Sequence, residues 1–540
     1  LKTIHNPVLR GFNPDPSILR VGDDYYIATS TFEWFPGVQI HHSRDLRHWR
    51  LAARPLERRS QLDMLGNPDS GGIWAPCLSW SDGLFYLVFT DVKSHIGPFK
   101  DTHNYLVTAP SIEGPWSDPV YLNSSGFDPS LFHDDDGRKW LVNMIWDYRK
   151  GKNKFAGIAL QEYSPEQKRL VGPIRNIFRG TPLGLTEGPH LYRRNGWYYL
   201  VTAEGGTRFN HAVTVARSKS LFGPYEADPE NPVLTAANKP ELELQRAGHA
   251  CLVDTQTGDW YFAHLCGRPL KPSQRCILGR ETALQPVEWT EDGWLRLAGG
   301  GNSPKAVVPA PDLPDHPFPP EPETDHFDGE RISIHFQTLR EPLDEQWASL
   351  AARPGYLRLK GRESLSSMHR QSLVARRQQA FIAEAETAVE FEPETFQQMA
   401  GLIHYYNTRN YYYLYVSRDE ELGKCLNIMS SDRGLYDEPL ERPVSVEGWD
   451  RVHLKASLGY DRLQFHYSRD GKEWTPIGPE LDASVISDEN VEAKIEGRMI
   501  DQGFTGAFLG ICAQDMSGQG KHADFDYFTY RELPEPEPDV

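Results

Sequence analysis

One short sequence pattern recurs five times in about the first 300 residues of the chain. Each copy has a polar or charged residue near a proline or glycine, then a brief apolar run, a turn and an aromatic-rich strand. The copies centre on Asp15, Trp74, Asp128, Glu187 and His249, at spacings of 59, 54, 59 and 62 residues. A repeat of this length with several strands per copy is typical of a β-propeller blade. We therefore predict an all-β fold that begins with a five-bladed β-propeller over residues 1–303.

The repeat has a geometric consequence for function. In a propeller, the equivalent position of every blade faces the same central axis. The five central residues, which are far apart in sequence, are therefore expected to converge on one pocket. Three of them, Asp15, Asp128 and Glu187, are carboxylic acids.

A second domain is predicted after a proline-rich segment. Residues 304–324 contain eight prolines, which favour an extended, semi-rigid linker and are excluded from central strands. Beyond the linker, apolar and polar residues alternate in several segments, as in half-buried strands, and no 59-residue period is found. This pattern predicts a β-sandwich over residues 325–540.

Composition narrows the classes of function. A chain of 540 residues is long enough for two domains, and its net charge of −18 argues against a nucleic-acid partner. The one basic cluster, ARRQQ at 375–379, is too small to change that expectation. A neutral substrate is favoured instead, because 14 Trp, 24 Tyr and 24 Phe offer flat faces for stacking.

The sequence also suggests a cellular compartment. No apolar stretch reaches the roughly 18 residues that a membrane helix needs, and no signal peptide is visible at the start of the sequence. The six cysteines form no C-x-x-C pair and several lie in apolar strand segments, which is typical of buried reduced thiols. We therefore expect a cytoplasmic protein without a membrane partner.

Three carboxyl groups at one axis favour acid/base chemistry. Asp15 lies in NPDPS (13–17), Asp128 in FDPSL (127–131) and Glu187 in TEGPH (186–190). Taken alone, Asp15 would more readily be interpreted as a turn residue, but the repeated D-P-S motif argues against that interpretation. Since three nearby carboxylates repel one another, at least one should have a raised pKa, as glycoside hydrolysis by an acid/base pair requires.

Two aromatic residues are candidates for a sugar-stacking platform. Trp74 falls at the axial repeat position in GIWAP (72–76), and Phe32 lies in TFEWFPG (31–37). Packing within the blades is the competing interpretation, and it is stronger for Phe32 than for Trp74.

These motifs, together with GHA (248–250) and GRET (279–282), resemble glycoside hydrolase family 43, in particular its two-domain β-xylosidases. The resemblance covers nearly the whole chain. It implies a five-bladed propeller, a concanavalin-like β-sandwich and single-displacement hydrolysis with inversion. An inverting pair also needs its two carboxyl groups about 6.5–9.5 Å apart to admit a water molecule, a gap that separate blades can supply.

The resemblance also implies residue roles. Asp15 resembles the general base, Glu187 the general acid, and Asp128 the third carboxylate, which orients the acid and keeps its pKa high. Other matching positions resemble pocket residues that orient carboxylates or sugar hydroxyls: Thr207, His249 and Arg280. A loop of the second domain resembles the segment that closes the pocket with Phe504, whereas Phe508 is interpreted as a core residue.

The activity expected from this resemblance is exo-acting release of D-xylose from the non-reducing ends of 1,4-β-xylooligosaccharides. Three alternatives remain open: an α-L-arabinofuranosidase or an enzyme with both activities, a non-catalytic sugar-binding propeller, and a retaining fructosidase. The last is disfavoured because NPDPS replaces the N-D-P-N-G type of motif.

The sequence also bears on cofactors and assembly. No metal is expected to be required, and calcium near His249 or at DFDYFTY (524–530) in the sandwich is the alternative. The resemblance suggests a homodimer or homotetramer.

Overall fold

The computed structural model describes residues 2–536 and is almost entirely β. Its first half consists of five antiparallel sheets of four or five strands, which succeed one another along the chain as the blades of a propeller. The predicted all-β, five-bladed propeller is confirmed.

The strands of each blade follow chain order, with one short extra strand in blades II and IV. Blade I contains Ser17–Val21, Asp24–Thr29, Gln39–Ser43 and Arg50–Ala53. Blade II contains Gly72–Ile73, Cys77–Ser81, Leu84–Ser94, Asp101–Ala109 and Val120–Asn123. Blade III contains Ser130–His133, Lys139–Trp146, Phe155–Ser164 and Arg169–Phe178. Blade IV contains Glu187–Arg194, Trp197–Glu204, Ala212–Ser218, Glu226–Ala227 and Leu234–Thr235. Blade V contains Gln245–Asp254, Trp260–Gly267, Glu281–Trp289 and Leu295–Leu297.

Tight turns join the first two long strands of each blade. At Asn195–Gly196 both residues have positive φ, 50° and 75°, and Asp82–Gly83 is similar at 54° and 78°. This conformation matches the right-handed twist of a hairpin and is readily adopted by Asn-Gly and Asp-Gly pairs. The turn residues of the sequence therefore place the start of each hairpin.

The proline-rich segment is anchored to the propeller. Thr3–His5 pairs with Val307–Pro309 in a separate antiparallel ladder, so part of the segment is a short strand beside the amino-terminal end. Further along, Lys2 Nζ donates to the carbonyl of Leu313 at 2.7 Å. The connection between the two domains is thus extended and held in place.

The second domain is a sandwich of two antiparallel sheets, here named sheet A and sheet B. Sheet A contains Thr324–Asp325, Ala348–Ser349, Leu357–Lys360, Ile382–Glu390, Val452–Gly459, Arg462–Ser468, Thr475–Asp482 and His522–Glu532. Sheet B contains Gln337–Leu339, Ser372–Arg377, Gln398–Asn407, Asn410–Asp419, Gly423–Asp432, Leu435–Asp437, Val444–Ser445 and Phe508–Asp515. Their facing apolar side chains form a continuous core. The predicted sandwich is confirmed.

The two domains share a sheet. A short propeller strand, Trp34–Phe35, pairs with Gln337–Leu339 and extends sheet B by one strand. Trp34 also stacks on Phe508, with ring centroids 3.7 Å apart. Phe508 is fully buried, as its interpretation as a core residue required. This junction fixes the sandwich against the propeller face that carries the axial residues.

In the part of the chain that the structure describes, helical structure is confined to two short segments, Ala483–Val485 and Asp488–Val491. They precede the hairpin of Ala493–Ile495 and Arg498–Asp501. Within residues 2–536, no helix is long and apolar enough to cross a membrane.

Candidate active site

The axial residues of the blades meet at a pocket of about 380 Å³. Asp15 and Asp128 directly precede the innermost strands of blades I and III, and Glu187 begins that of blade IV. His249 lies within the innermost strand of blade V. All nine residues singled out in the sequence line the pocket: Asp15, Phe32, Trp74, Asp128, Glu187, Thr207, His249, Arg280 and Phe504.

Three of the axial residues share an unusual backbone conformation. Asp15, Asp128 and His249 have φ values of 54°, 55° and 52°, in the left-handed region that non-glycine residues seldom adopt. Such conformations cost roughly 1 kcal/mol or more each and cluster at functional sites, where the surrounding structure holds them. The same conformation in three blades turns three side chains toward the axis.

Asp15 is held by two cations and a hydroxyl. Ser30 Oγ donates to Oδ2 at 2.7 Å, and Arg280 Nη1 and His249 Nδ1 each lie 3.3 Å from Oδ1. Burial by itself would raise the pKa of Asp15, but Arg280, His249 and Ser30 together lower it below its ordinary value. Asp15 is therefore an ionised carboxylate at neutral pH.

The pKa of Glu187 is shifted in the opposite direction from that of Asp15. Burial and the negative charges of Asp128 and Asp15 raise its pKa to about 8. Burial and the charge of Asp15 likewise raise the pKa of Asp128, to about 6. A protonated Glu187 can donate a proton at neutral pH, while Asp15 can accept one.

His249 supplies positive charge between the carboxyl groups. Burial would lower its pKa, but the hydrogen bond and charge of Asp15, with the charges of Asp128 and Glu187, raise it to about 9. The ring lies so close to Gly188 that a Cβ there would approach Nε2 to 3.0 Å, at a φ of +60°. Glycine after Glu187 is thus required by the imidazole beside it.

An aromatic wall encloses the pocket. Phe504, from the sandwich, lies 5.9 Å from Phe32 and 5.7 Å from Trp74 between ring centroids. Its backbone is fastened to the propeller on both sides, because its N–H donates to Ser70 Oγ at 3.1 Å and its carbonyl accepts Arg280 Nη2 at 2.9 Å. Phe32 is only 2 % exposed, so it is both a packing residue and part of the wall.

The pocket also contains residues that the sequence analysis did not single out. Lys100 Nζ donates to the carbonyl of His95 at 2.6 Å and lies 4.4 Å from the Trp146 ring centroid. Burial lowers the pKa of Lys100 to about 8, although the charge of Glu187 opposes this. Lys100 lies in an interstrand loop outside the repeated pattern, so no sequence signal could have identified it.

Arg208 is a second residue missed, although it directly follows Thr207 in the sequence. Its Nε donates to Glu492 Oε2 at 2.8 Å and its Nη2 to the carbonyl of Gly503 at 3.0 Å. The guanidinium also lies 5.7 Å from the Phe504 ring. Arg208 therefore fastens the sandwich loop over the pocket, whereas Thr207 Oγ1 accepts a hydrogen bond from Arg280 at 3.1 Å.

Both positions named as calcium candidates have protein partners in the structure. His249 Nδ1 lies 3.3 Å from Asp15 Oδ1. In the sandwich, Asp524 accepts two hydrogen bonds from Arg358, at 2.7 and 2.9 Å, and one from Arg353. Residues 2–536 contain no group of three or more His, Cys, Asp or Glu side chains that could hold a metal ion.

A propeller whose axis carries one ionised carboxylate, one protonated carboxylic acid and an aromatic wall defines a glycoside hydrolase. Comparison with known families agrees with this assignment. Residues 4–295 match the model of glycosyl hydrolases family 43, and residues 324–531 match the β-xylosidase C-terminal concanavalin A-like domain. The chain belongs to glycosyl hydrolases family 43, as its motifs predicted.

Similar proteins match over nearly their whole length. The chain is 51 % identical to a xylosidase/arabinosidase 43B of Humicola insolens, covering 99 % of this chain and 98 % of the relative. It is also 51 % identical to a beta-xylosidase of Bacillus subtilis, with 98 % and 99 % covered. The structure of a xylan beta-1,4-xylosidase from Bacillus halodurans superposes with a TM-score of 0.95 at 60 % identity, covering 98 % of this chain and 100 % of the other.

Proposed function

We propose that this glycoside hydrolase is an exo-acting, inverting β-xylosidase that releases D-xylose from the non-reducing ends of short 1,4-β-xylooligosaccharides. The observation that carries the proposal is that two axial carboxyl groups in one pocket have pKa values shifted in opposite directions. The pKa of Asp15 is lowered and that of Glu187 is raised.

In the proposed reaction, Glu187 transfers its proton to the glycosidic oxygen as the bond from that oxygen to the anomeric carbon breaks. Asp15 removes a proton from a water molecule, whose oxygen attacks the anomeric carbon from the opposite face. The products are the shortened oligosaccharide and α-xylose, so one inversion has occurred. Asp128 would maintain the proton on Glu187 through its negative charge.

Inversion is supported by the placement of base and acid on blades I and IV, which are not neighbours in the propeller. Proton NMR of the first anomer formed from xylobiose tests it. We expect α-xylose to precede β-xylose; β-xylose as the first product would exclude inversion.

Exo action is supported by the closure of the pocket with Phe504 from the second domain. A pocket closed on one side admits one chain end, whereas an open cleft would admit internal sugars. Product analysis on xylohexaose should show xylose from the first minutes, with xylopentaose as the only initial co-product. Early xylobiose or xylotriose would contradict exo action.

The xylose specificity is supported by the two relatives and the solved structure that carry β-xylosidase or xylosidase in their names. Arabinofuranosidase activity is the second candidate, because one of those relatives is named a xylosidase/arabinosidase. Comparing kcat/KM for 4-nitrophenyl β-D-xyloside and 4-nitrophenyl α-L-arabinofuranoside ranks the two. A preference for the arabinoside would reverse the proposed order.

A cytoplasmic location is proposed from the cysteines, since all six are buried and unpaired. Cell fractionation of the source organism tests this, and recovery of the activity mainly outside the cells would reject it. A homodimer or homotetramer is proposed from the family resemblance alone. Light scattering after size exclusion should give a mass of two or four times 61.4 kDa, and a monomer would reject the proposal.

A further inference from the structure

A second polar cavity, of about 210 Å³, lies between the propeller and the sandwich. Its propeller side includes residues of the strands Gln39–Ser43 and Arg50–Ala53, and its sandwich side includes the end of Ser372–Arg377. Five arginines line it: Arg10, Arg50, Arg54, Arg376 and Arg377. We name it the interdomain cavity. The ARRQQ segment, set aside in the sequence as too small to bind nucleic acid, supplies two of these arginines.

Positive charge exceeds negative charge among the residues of the interdomain cavity, although Arg10 is paired with Glu532 at 2.8 Å. Among the described residues that line it, Glu321 is the one carboxylate, and its side chain is 54 % exposed. Arg376 and Arg377 are only 9 % and 5 % exposed. Buried charges in proteins are normally paired, because an unpaired charge in a low-dielectric interior is costly.

Several buried N–H groups of the cavity have no partner in the structure. Arg54 uses Nε to bond the carbonyl of Ile334 at 3.0 Å, yet Nη1 and Nη2 are both buried and without an acceptor. Arg376 Nε and Arg377 Nη2 are likewise buried without an acceptor. Four guanidinium nitrogens from three arginines therefore lack a hydrogen-bond acceptor in one place.

Two histidines add ring nitrogens to this set. His41 Nδ1 and His335 Nε2 are buried without a hydrogen-bond partner, although His335 Nε2 lies 3.5 Å from the nearest Glu321 oxygen. Burial and the charges of Arg376, Arg54 and Arg377 lower the pKa of His335 to about 3. His335 is thus neutral and has one ring N–H to donate, and it lines the same cavity as these three arginines.

We propose that the interdomain cavity binds a small multivalent oxyanion, with inorganic phosphate as the representative ligand. Guanidinium groups match the oxygens of phosphate in charge and in fork geometry, and such bonds are about twice as strong as neutral ones. Arg50 is exposed and lines the cavity, so its positive charge would attract an anion from solvent.

The bound oxyanion has a defined structural consequence. Arg377 Nε donates to the carbonyl of Phe12 at 2.6 Å, and Phe12 packs against Phe32 of the pocket wall with ring centroids 5.8 Å apart. Phe12 is three residues before Asp15. An anion that neutralises Arg54 and Arg377 would therefore stabilise the domain junction close to the catalytic base. The oxyanion is therefore a stabilising ligand of the junction, separate from the sugar pocket.

Thermal unfolding and calorimetry of the full chain test the proposal. Phosphate should raise Tm by about 2 °C or more over sodium chloride of equal ionic strength, and calorimetry should show saturable binding of one phosphate per chain. Sulfate should act similarly and acetate should not, which separates multivalent oxyanions from carboxylates. Equal Tm values in phosphate and chloride would overturn the proposal.

Variants locate the binding. Arg54→Met and Arg376→Gln should each reduce the phosphate-dependent rise in Tm by at least half, whereas Arg138→Met, at a hairpin with a 57 % exposed side chain, should leave it unchanged. Two cavity variants guard against a folding defect in one of them. The site would be rejected if both cavity variants kept the phosphate-dependent rise in Tm. It would also be rejected if Arg138→Met lost that rise to the same extent. If phosphate inhibits competitively and its effect on Tm is the same in Arg54→Met as in the unchanged protein, the anion binds in the sugar pocket. That result would also reject the interdomain site.

Discussion

The backbone N–H of Gly188 donates to Asp128 Oδ2 at 2.9 Å, which joins the third axial carboxyl to the residue that follows Glu187. Blades III and IV are thereby connected at the axis. The contact holds the two acidic side chains near each other, and their mutual repulsion is one reason for the raised pKa of Glu187.

The basic limb of the pH profile should report Glu187. The acid must carry its proton, so kcat/KM should be constant at neutral pH and fall as pH rises through about 8. Replacing Asp128 with Asn removes a negative charge and should move this limb to lower pH. Initial rates with 4-nitrophenyl β-D-xyloside between pH 4 and 10 measure both effects. An unchanged limb in Asp128→Asn would contradict the electrostatic role of Asp128.

Acid and base variants should differ in their dependence on the leaving group. Glu187→Ala should lose about 10³-fold or more on xylobiose, whose leaving group needs a proton, but much less on a nitrophenyl xyloside. Asp15→Ala should lose a similar factor on both substrates, because each needs an activated water. Steady-state kcat values on the two substrates measure this. If both variants remain fully active, the acid/base assignment is wrong. The alternative of a non-catalytic sugar-binding propeller would then be favoured.

Arg280 is expected to keep Asp15 ionised. Arg280→Ala removes the nearby guanidinium, so the pKa of Asp15 should rise from its lowered value and kcat/KM should begin to fall with acid within the assayed range, at about pH 4. Arg280→Lys retains the positive charge and is the matched control. Its effect on the acid side of the kcat/KM profile should be smaller than that of Arg280→Ala. An acid limb that stays in place in Arg280→Ala would show that His249 and Ser30 suffice.

Two phenylalanines four residues apart should behave differently. Phe504→Ala should raise KM for xylobiose while Tm changes little, because its half-buried ring closes the pocket. Phe508→Ala should cost about 3–5 kcal/mol of folding free energy, because its fully buried ring stacks on Trp34. Kinetics and denaturant unfolding of both variants separate the roles, and a large loss of stability in Phe504→Ala would contradict the assignment.

Chelation should leave the activity intact. His249 lies 3.3 Å from the Asp15 carboxylate, and the Asp524 carboxylate is paired with Arg358, so a calcium ion would have to compete with both contacts. We expect kcat and Tm to be unchanged after dialysis against EDTA, with added calcium having no effect. A loss of activity that calcium restores would refute metal independence.

Much of the site was predictable because propeller repeats encode it locally. Asp15 and Asp128 occur in the same short motif before the first strand of a blade, and closure of the blades about an axis brings such positions together. Glu187 and His249 are found from the same spacing. Phe504 was reached only through family resemblance, since no repeat extends into the sandwich.

Other features had no local signal. Lys100 reaches the pocket from a loop whose sequence is unremarkable, and its position depends on how blade II is oriented. Arg54 and Arg377 are more than 300 residues apart, and only the packing of two domains places them around one cavity.

The sequence by itself determined the all-β class, the number of blades and the identity of the three axial carboxyl groups, because turns and strand periodicity are short-range properties. Tertiary structure decided which of those carboxyls is ionised and which is protonated. Burial, the guanidinium of Arg280 beside Asp15 and the negative charges around Glu187 set the two pKa values, and each depends on distances across the propeller axis that no single segment specifies.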